Sequence, residues 1–351
     1  MTAGASALRN LRRLGTSPLV VSMAAVLFAL LVGGVIIALT KHDVEMAYAT
    51  MWQGAFGSRR GIGETLLSAT PLILGGLAVA VSFRCGLFNL GAEGQIALGG
   101  LGAAWVGYWV QGLPVYIHLP LALLVGALFG VVWSSIAGLL KARLNMHEVI
   151  TTIMLNYIAF NITGWTVAPG GPLKAEGSIP ASPPILATAK LARILAGTRL
   201  HAGIFIALLM VAVVWYLLFR TRLGYAIRAV GSNASAAEYG GISVARSIML
   251  TMAISGFLSG LAGAVEVLGI HYRLYESFSP GYGWDAIAVA LLGLLHPAGV
   301  LLAALLYGAL RAGSVPMQAV ADVNRDIINV ISALVICFIA LARLEARRSR
   351  G

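Results

Sequence analysis

The chain is written as a series of apolar runs about as long as a bilayer is thick, with short polar segments between them. The first runs from Leu19 to Leu39; others cover residues 62–83, 87–110, 121–140, 148–168, 202–219, 248–270 and 327–342. A helix needs about 20 predominantly apolar residues to cross the hydrocarbon core. Ten such helices use roughly 200 residues and leave no room for a separate soluble catalytic domain in a chain of 351. Hydrophobic residues make up 59% without counting glycine, and charged residues only 11%, against about 25% in a soluble domain. A water-soluble chain of this make-up lacks the polar surface to cover its core. Disorder, a disulfide scaffold and a secreted enzyme are excluded on the same grounds.

The net charge of +11 follows from basic residues gathered in cytoplasmic segments, where they set the orientation of membrane proteins; nucleic acid is not an expected partner. Cys85 and Cys337 sit in or beside apolar runs and read as small buried hydrophobes, neither disulfide nor metal ligand. Arg9, Arg12 and Arg13 precede the first run. That run reads as a retained helix with residues 1–18 in the cytoplasm. A polar loop spans residues 41–60, and the proline- and glycine-rich stretch 169–200 reads as an irregular external loop. The arginine-rich tail, 343–351, belongs in the cytoplasm. Residues 285–313 set the count. As one span they give nine helices. As two half-length helices, about 285–295 and 299–313, broken at His296-Pro297-Ala298-Gly299, they give ten with both termini inside. Pro297 lacks the N–H of an unbroken helix, which favours the re-entrant or broken pair. The expected fold is all-α, a polytopic transmembrane bundle of about ten segments.

No Gly-Lys dipeptide occurs, since Lys41, Lys141, Lys174 and Lys190 follow Thr40, Leu140, Leu173 and Ala189. The phosphate-cradling G-x-x-x-x-G-K-[ST] loop is therefore missing. His147-Glu148 lacks the second histidine of a zinc-protease motif, and no metal site is expected. Polar groups at membrane depth carry more information, because such residues usually face a bundle interior or a wet cavity. Asn89 and Glu93 lie four apart; Glu148, Thr152 and Asn156 form a stripe at i, i+4, i+8; Gln95, Asn161, Glu64 and Glu266 are further candidates. They read either as a polar pathway for a hydrophilic solute or as interhelical hydrogen bonds. Gly126 with Gly130, and Gly256 with Gly260, place small residues four apart and predict close helix contacts.

Residues 220–247 form a hydrophilic segment. Tyr225 to Val230 predicts a helical turn ended by Gly231, Ser235-x-x-Glu238 matches a capping box, and Gly240-Gly241 predicts the end of a second short helix. A solvated loop needs no such order, so the segment reads as a docking surface for a cytoplasmic partner.

Four stretches, FRCGLFNLGAEGQIALGG (83–100), MHEVITTIMLNYIAF (146–160), AIRAVGSNASAAEYGGIS (226–243) and GWDAIAVALLGLLHPAGVLLAALLYGALRAGS (283–314), resemble permease subunits of bacterial ABC importers. The similarity covers roughly 62–340 and is closest to the simple-sugar and nucleoside group of the superfamily that includes ribose and branched-chain amino acid permeases. Leu90, where the family often has Ile, and His147, where it often has Asn, depart from the pattern. The resemblance implies a single permease domain in the bacterial inner membrane, without its own nucleotide site. ATP and magnesium would sit on a separate cytoplasmic ATPase. A second permease subunit, expected to be a different chain, and an extracytoplasmic binding protein complete the assembly. Arg228, Gly231, Asn233, Ala237, Glu238 and Gly240 fall in the region resembling the family's ATPase-coupling segment. Asn89, Glu93 and Gln95 fall in its FN-x-GAEGQ signature, and with Thr152, Asn156 and Tyr157 are the expected substrate pathway. The motifs lean toward a nucleoside: Tyr157 and Phe160 can stack on a base, Asn89 and Asn156 can bond ribose. An ion-coupled secondary transporter, working through a buried acid such as Glu93 or Glu266, is the alternative.

Overall fold

A chain rich in Leu, Ala and Gly, surrounded by hydrocarbon, must satisfy its backbone internally, and the helix does so within one segment. The structure, a computed structural model, describes residues 18–324 and scattered positions from 326 to 338. The N-terminal segment, most of the last apolar run and the arginine-rich tail lie outside the described residues. Among the described residues twelve α-helices are defined, in order: α1 Pro18–Leu39, α2 Val44–Phe56, α3 Arg59–Arg84, α4 Ala92–Trp109, α5 Val115–Leu144, α6 Glu148–Val167, α7 Gly203–Arg220, α8 Arg222–Ser232, α9 Ala234–Tyr239, α10 Val244–Glu266, α11 Tyr282–Leu292 and α12 Pro297–Ala321. A π-helical turn, Val267–His271, prolongs α10. Extended pairing is limited, among the described residues, to two isolated bridges, Ala181 with Tyr275 and Arg193 with His201. Among the described residues five helices are long and apolar enough to cross a membrane: α3, α5, α7, α10 with its extension, and α12.

Three boundaries differ from the sequence reading. The polar stretch 41–60 contains α2, capped by Asp43, whose carboxylate accepts from the N–H groups of Glu45 and Met46 at 2.9 and 3.1 Å. Helix α5 begins at Val115, before the apolar run, and reaches 30 residues. The broken pair is unequal: α11 has 11 residues, but α12 continues past residue 313 to Ala321 and is a full-length helix of 25. The break itself falls at Gly293–His296, where Leu294 and Leu295 both adopt left-handed backbone, φ 56°. The 169–200 stretch is irregular, as expected, yet it is packed, with Leu173, Ile185, Ala189 and Leu191 buried. Buried His118 on α5 fastens it, its ring meeting Thr188 Oγ1 at 2.7 Å and the Val106 carbonyl at 3.1 Å.

The chain divides into two units. One comprises residues 18–61 with the described residues from 309 on. There Tyr48 of α2 donates to the Leu30 carbonyl of α1, and Gly54 makes room for the ring of Pro316. The other comprises residues 62–308. Its centre is α4, where every residue from Ala92 to Ala104 is buried; a helix without a polar face is an interior helix. Helices α5 and α10 pack most closely on it and on each other. The four glycines at spacing four meet face to face: a methyl group on Gly130 would run into the Gly256 carbonyl, and one on Gly260 into that of Gly126. Bare backbones let the helices approach to a distance at which dispersion, rather than hydrophobic exclusion, holds them. Gly130→Val is expected to force α5 and α10 apart at a cost of about 1–3 kcal/mol or more, read as a lower midpoint for thermal unfolding of the detergent-purified protein.

Candidate functional site

Between α3 and α4 the chain leaves the helix for residues 85–91. This break lies inside the 62–308 unit; Gly86 and Phe88 are exposed, but Asn89 and the helix start from Gly91 onward are buried, where backbone groups cannot reach water. Side chains replace it. Asn89 Oδ1 accepts from Gly91 N–H at 2.9 Å, and its Nδ2 donates to Ser255 Oγ of α10, also at 2.9 Å. Ser255 passes the chain on to the Ala78 carbonyl of α3. From α6, Asn156 works in both directions: Oδ1 accepts from Gly94 N–H at 2.9 Å and Nδ2 donates to the Leu90 carbonyl at 2.8 Å. One helical turn earlier, Thr152 Oγ1 accepts from Leu90 N–H at 3.3 Å. Gln95 Nε2 adds a bond to Asn89 Oδ1. The first N–H groups of a helix have no intrahelical acceptor, and here α6 and the break itself supply them. Four of the six expected pathway residues, Asn89, Gln95, Thr152 and Asn156, are thus engaged in joining α3, α4, α6 and α10. Tyr157 faces outward, 60% exposed. At the foot of the stripe Glu148 pairs with Lys141 at 3.0 Å. Asn161 is exposed and bonds the Tyr157 carbonyl.

Glu93 is placed differently. It is 4% exposed, its carboxylate accepts the N–H of Gly283 at the start of α11, and it lines a cavity of about 240 Å³. A carboxylate at the N-terminal ends of two helices is stabilised by both dipoles. Phe160 and Thr163 of α6, Phe278 and Ser279 of the loop before α11, and Trp284 form much of the remaining wall. Of these wall residues the sequence pattern pointed only to Phe160; Thr163, Phe278, Ser279 and Trp284 are added by the structure. Thr163 had a legible signal, lying two helical turns beyond Asn156 on the same face.

Beyond the cavity, Glu64 and Arg199 form a two-pronged ion pair at 3.0 and 2.7 Å, and Glu266 stands 3.9 Å from His271. His201 is wholly buried. Its Nδ1 accepts from Gly203 N–H at 3.1 Å, and burial holds its pKa down to about 4. Among the described residues no group of three His, Cys, Asp or Glu side chains is arranged to hold a metal ion.

The second candidate region is the helix pair α8–α9. Thr221 caps α8 by accepting from Gly224 N–H at 3.1 Å. The cap of α9 is Asn233, accepting from Ala236 N–H at 3.0 Å, and not Ser235, as the capping-box pattern suggested. Gly240 and Gly241, the latter at φ 82°, end α9. Ala237 is buried, Glu238 and Gly240 are exposed, and Tyr239 at the tip is 97% exposed. Behind this surface Gly231 abuts the Arg84 carbonyl at the end of α3. The guanidiniums of Arg84 and Arg228 lie 5.4 and 5.3 Å from the ring of Phe219, which stacks 5.2 Å from His296. Arg84 Nε also donates to the Leu295 carbonyl at 3.0 Å. One aromatic ring therefore links the ends of α3 and α7, the projecting α8 and the α11–α12 break.

Membrane-length helices around a buried polar break, with a short helix pair presented at one surface, make up a multi-pass membrane transport component. Residues 61–340 match the family described as branched-chain amino acid transport system / permease component, and the chain belongs to that family. It is 42% identical over 333 residues, 92% of its own length and 93% of the relative's, to the guanosine ABC transporter permease protein NupP of Bacillus subtilis. It is 34% identical over 93% of its length to the nucleoside ABC transporter permease protein NupB of Lactococcus lactis, covering 92% of that chain. The glucose ABC transporter permease protein TsgB13 of Haloferax volcanii is also 34% identical, over 93% of this chain and 88% of its own. No solved structure matches the chain. Family membership leaves the ion-coupled alternative without support.

Two outcomes are expected from this geometry. Asn156→Ala strands Gly94 N–H and the Leu90 carbonyl in the interior, at about 1–3 kcal/mol per buried group; thermal unfolding should shift down and uptake should fall with the folded fraction. His201 stays neutral in the folded protein but gains a proton near pH 6.5 when unfolded. Stability is therefore full above about pH 6.5 and is lost as pH falls toward the folded value. A smaller loss in His201→Gln, measured by unfolding across that range, checks it.

Proposed function

We propose that the chain is the transmembrane permease subunit of an ATP-driven ABC importer that carries a nucleoside, with simple sugars as the neighbouring substrate class. The observation that carries this reading is the near full-length similarity to a guanosine permease. In it, the protein lies in a bacterial inner membrane with about ten segments and both termini in the cytoplasm. The α8–α9 surface then faces the cytoplasm and the 169–200 stretch the outside. A separate ATPase hydrolyses ATP with magnesium, a second and unlike permease chain completes the pathway, and an extracytoplasmic binding protein delivers the solute.

Arg228, Gly231, Asn233, Ala237, Glu238 and Gly240 serve coupling. Glu238 and Tyr239 meet the ATPase, while Arg228 and Gly231 carry its movement inward. Support comes from the contacts behind the surface: a shift of α8 cannot occur without moving Phe219 and Arg84, and through Arg84 the α11–α12 break. The solute pathway is the one begun by Glu93. Asn89, Gln95, Thr152 and Asn156 hold the α3–α4 break that precedes Glu93 in the chain, and the ring of Tyr157 stands 6.3 Å from that of Phe160 in the cavity wall.

Ala237→Pro removes the N–H that donates to the Asn233 carbonyl at 3.0 Å and should break α9 at its middle. Uptake is expected to be lost with membrane insertion and helix content intact. Normal uptake by this variant sinks the coupling assignment.

A further inference from the structure

The cavity beside Glu93 carries more than a place on a pathway. Its volume, about 240 Å³, lies just below the usual range for drug-sized ligands and suits one small solute. Its wall is chemically divided. Phe160, Phe278 and Trp284 present aromatic surface, while Glu93, Thr163 and Ser279 present oxygen. No lysine or arginine lines it. The Oγ of Ser279 is buried without a hydrogen-bond partner in the structure, a state that costs free energy unless a ligand or water meets it. Glu93 brings an acceptor carboxylate to the same wall, held toward α11 by the Gly283 N–H.

The geometry points to a holding site for an uncharged nucleoside, resting on the importer reading above, with the base against the aromatic wall and hydroxyl or N–H donors toward Glu93, Thr163 and Ser279. A free pentose would satisfy the oxygens but leave the rings uncovered. A nucleoside monophosphate would bring its charge beside the Glu93 carboxylate with no cation to offset it. At close range in a poorly hydrated site, such like-charge contact is strongly unfavourable. The site therefore distinguishes nucleosides both from sugars and from nucleotides. Ala97, one turn beyond Glu93 on α4, keeps the space open with a single methyl group.

The test uses the whole importer in membranes, with Cys337→Ala to lower background and Cys85 left in its buried position. Ser279→Cys is introduced, and the rate at which a small thiol reagent modifies the new thiol is measured with inosine, inosine 5′-monophosphate or ribose present. The expected result is several-fold slowing by inosine and none by the other two. If inosine is taken up but does not slow modification, the site is overturned and the importer function stands. If ribose protects equally, the base is not what is recognised and the assignment falls. If the unsubstituted importer takes up no nucleoside, the function itself is wrong. Should the thiol fail to react, Trp284→Leu decides: a raised half-saturating inosine concentration in an assembled complex supports the site, and an unchanged one overturns it.

Discussion

Everything near the centre of residues 62–308 depends on satisfying a helix start that water cannot reach. The break at residues 85–91 ends, and α4 begins, among buried residues from Asn89 and Gly91 onward, and a backbone N–H or carbonyl left unpaired in such surroundings costs several kcal/mol. Asn156 bonds Gly94 and Leu90, and Asn89 bonds Gly91 and Ser255. Both are amides, each offering donor and acceptor at once, and no apolar residue could replace them. Because the Asn156 bonds come from α6 and the Asn89 side chain also reaches Ser255 of α10, which bonds Ala78 of α3, the same groups that make the break tolerable also fix where α3, α6 and α10 stand around α4. Pairing and positioning are one set of contacts.

Close packing then follows from glycine. The crossing of Gly126 and Gly130 with Gly256 and Gly260 brings α5 and α10 to backbone contact, and Gly283 likewise lies against the backbone at Glu93. A side chain at the crossing would force α5 and α10 apart, and one at Gly283 would carry the Glu93 carboxylate away from α11. The cavity exists because two helix N-termini converge on one acid, and because the loop before α11 folds Phe278 and Ser279 over it.

At the other candidate region the structure joins a surface to an interior. Helices α8 and α9 are short, and most of their outward residues are small; their order comes from the caps at Thr221 and Asn233 and from Gly231 seated on the end of α3. Two like-charged guanidiniums share the ring of Phe219, an arrangement favoured by the ring's negative face. In the proposed importer, this is the mechanical path from a nucleotide-driven partner to the α11–α12 break, where paired left-handed leucines mark a strained, over-determined backbone.

Much of this was legible in residue order. The length and apolarity of the runs fixed an all-helical membrane chain. Glycine spacing announced close helix contacts, though not that the two pairs meet each other, and the 220–247 pattern announced two short helices, though it chose Ser235 over Asn233 as the cap, since both are good capping residues. Polar residues at membrane depth were found, but their roles were not separable: Asn89, Asn156 and Glu93 look alike in sequence. Whether a polar side chain spends its bonds on backbone or turns toward a cavity depends on what stands opposite it. Likewise α12's full length and the packing of the 169–200 stretch were hidden, because turn residues mark where a chain bends and not what it then lies against. The sequence by itself determined the solvent, the helices and the family, all set by local composition and short motifs. Only the tertiary structure decided which polar groups are structural and which face open space, because that division depends on contacts between segments as far apart as Glu93 and Gly283.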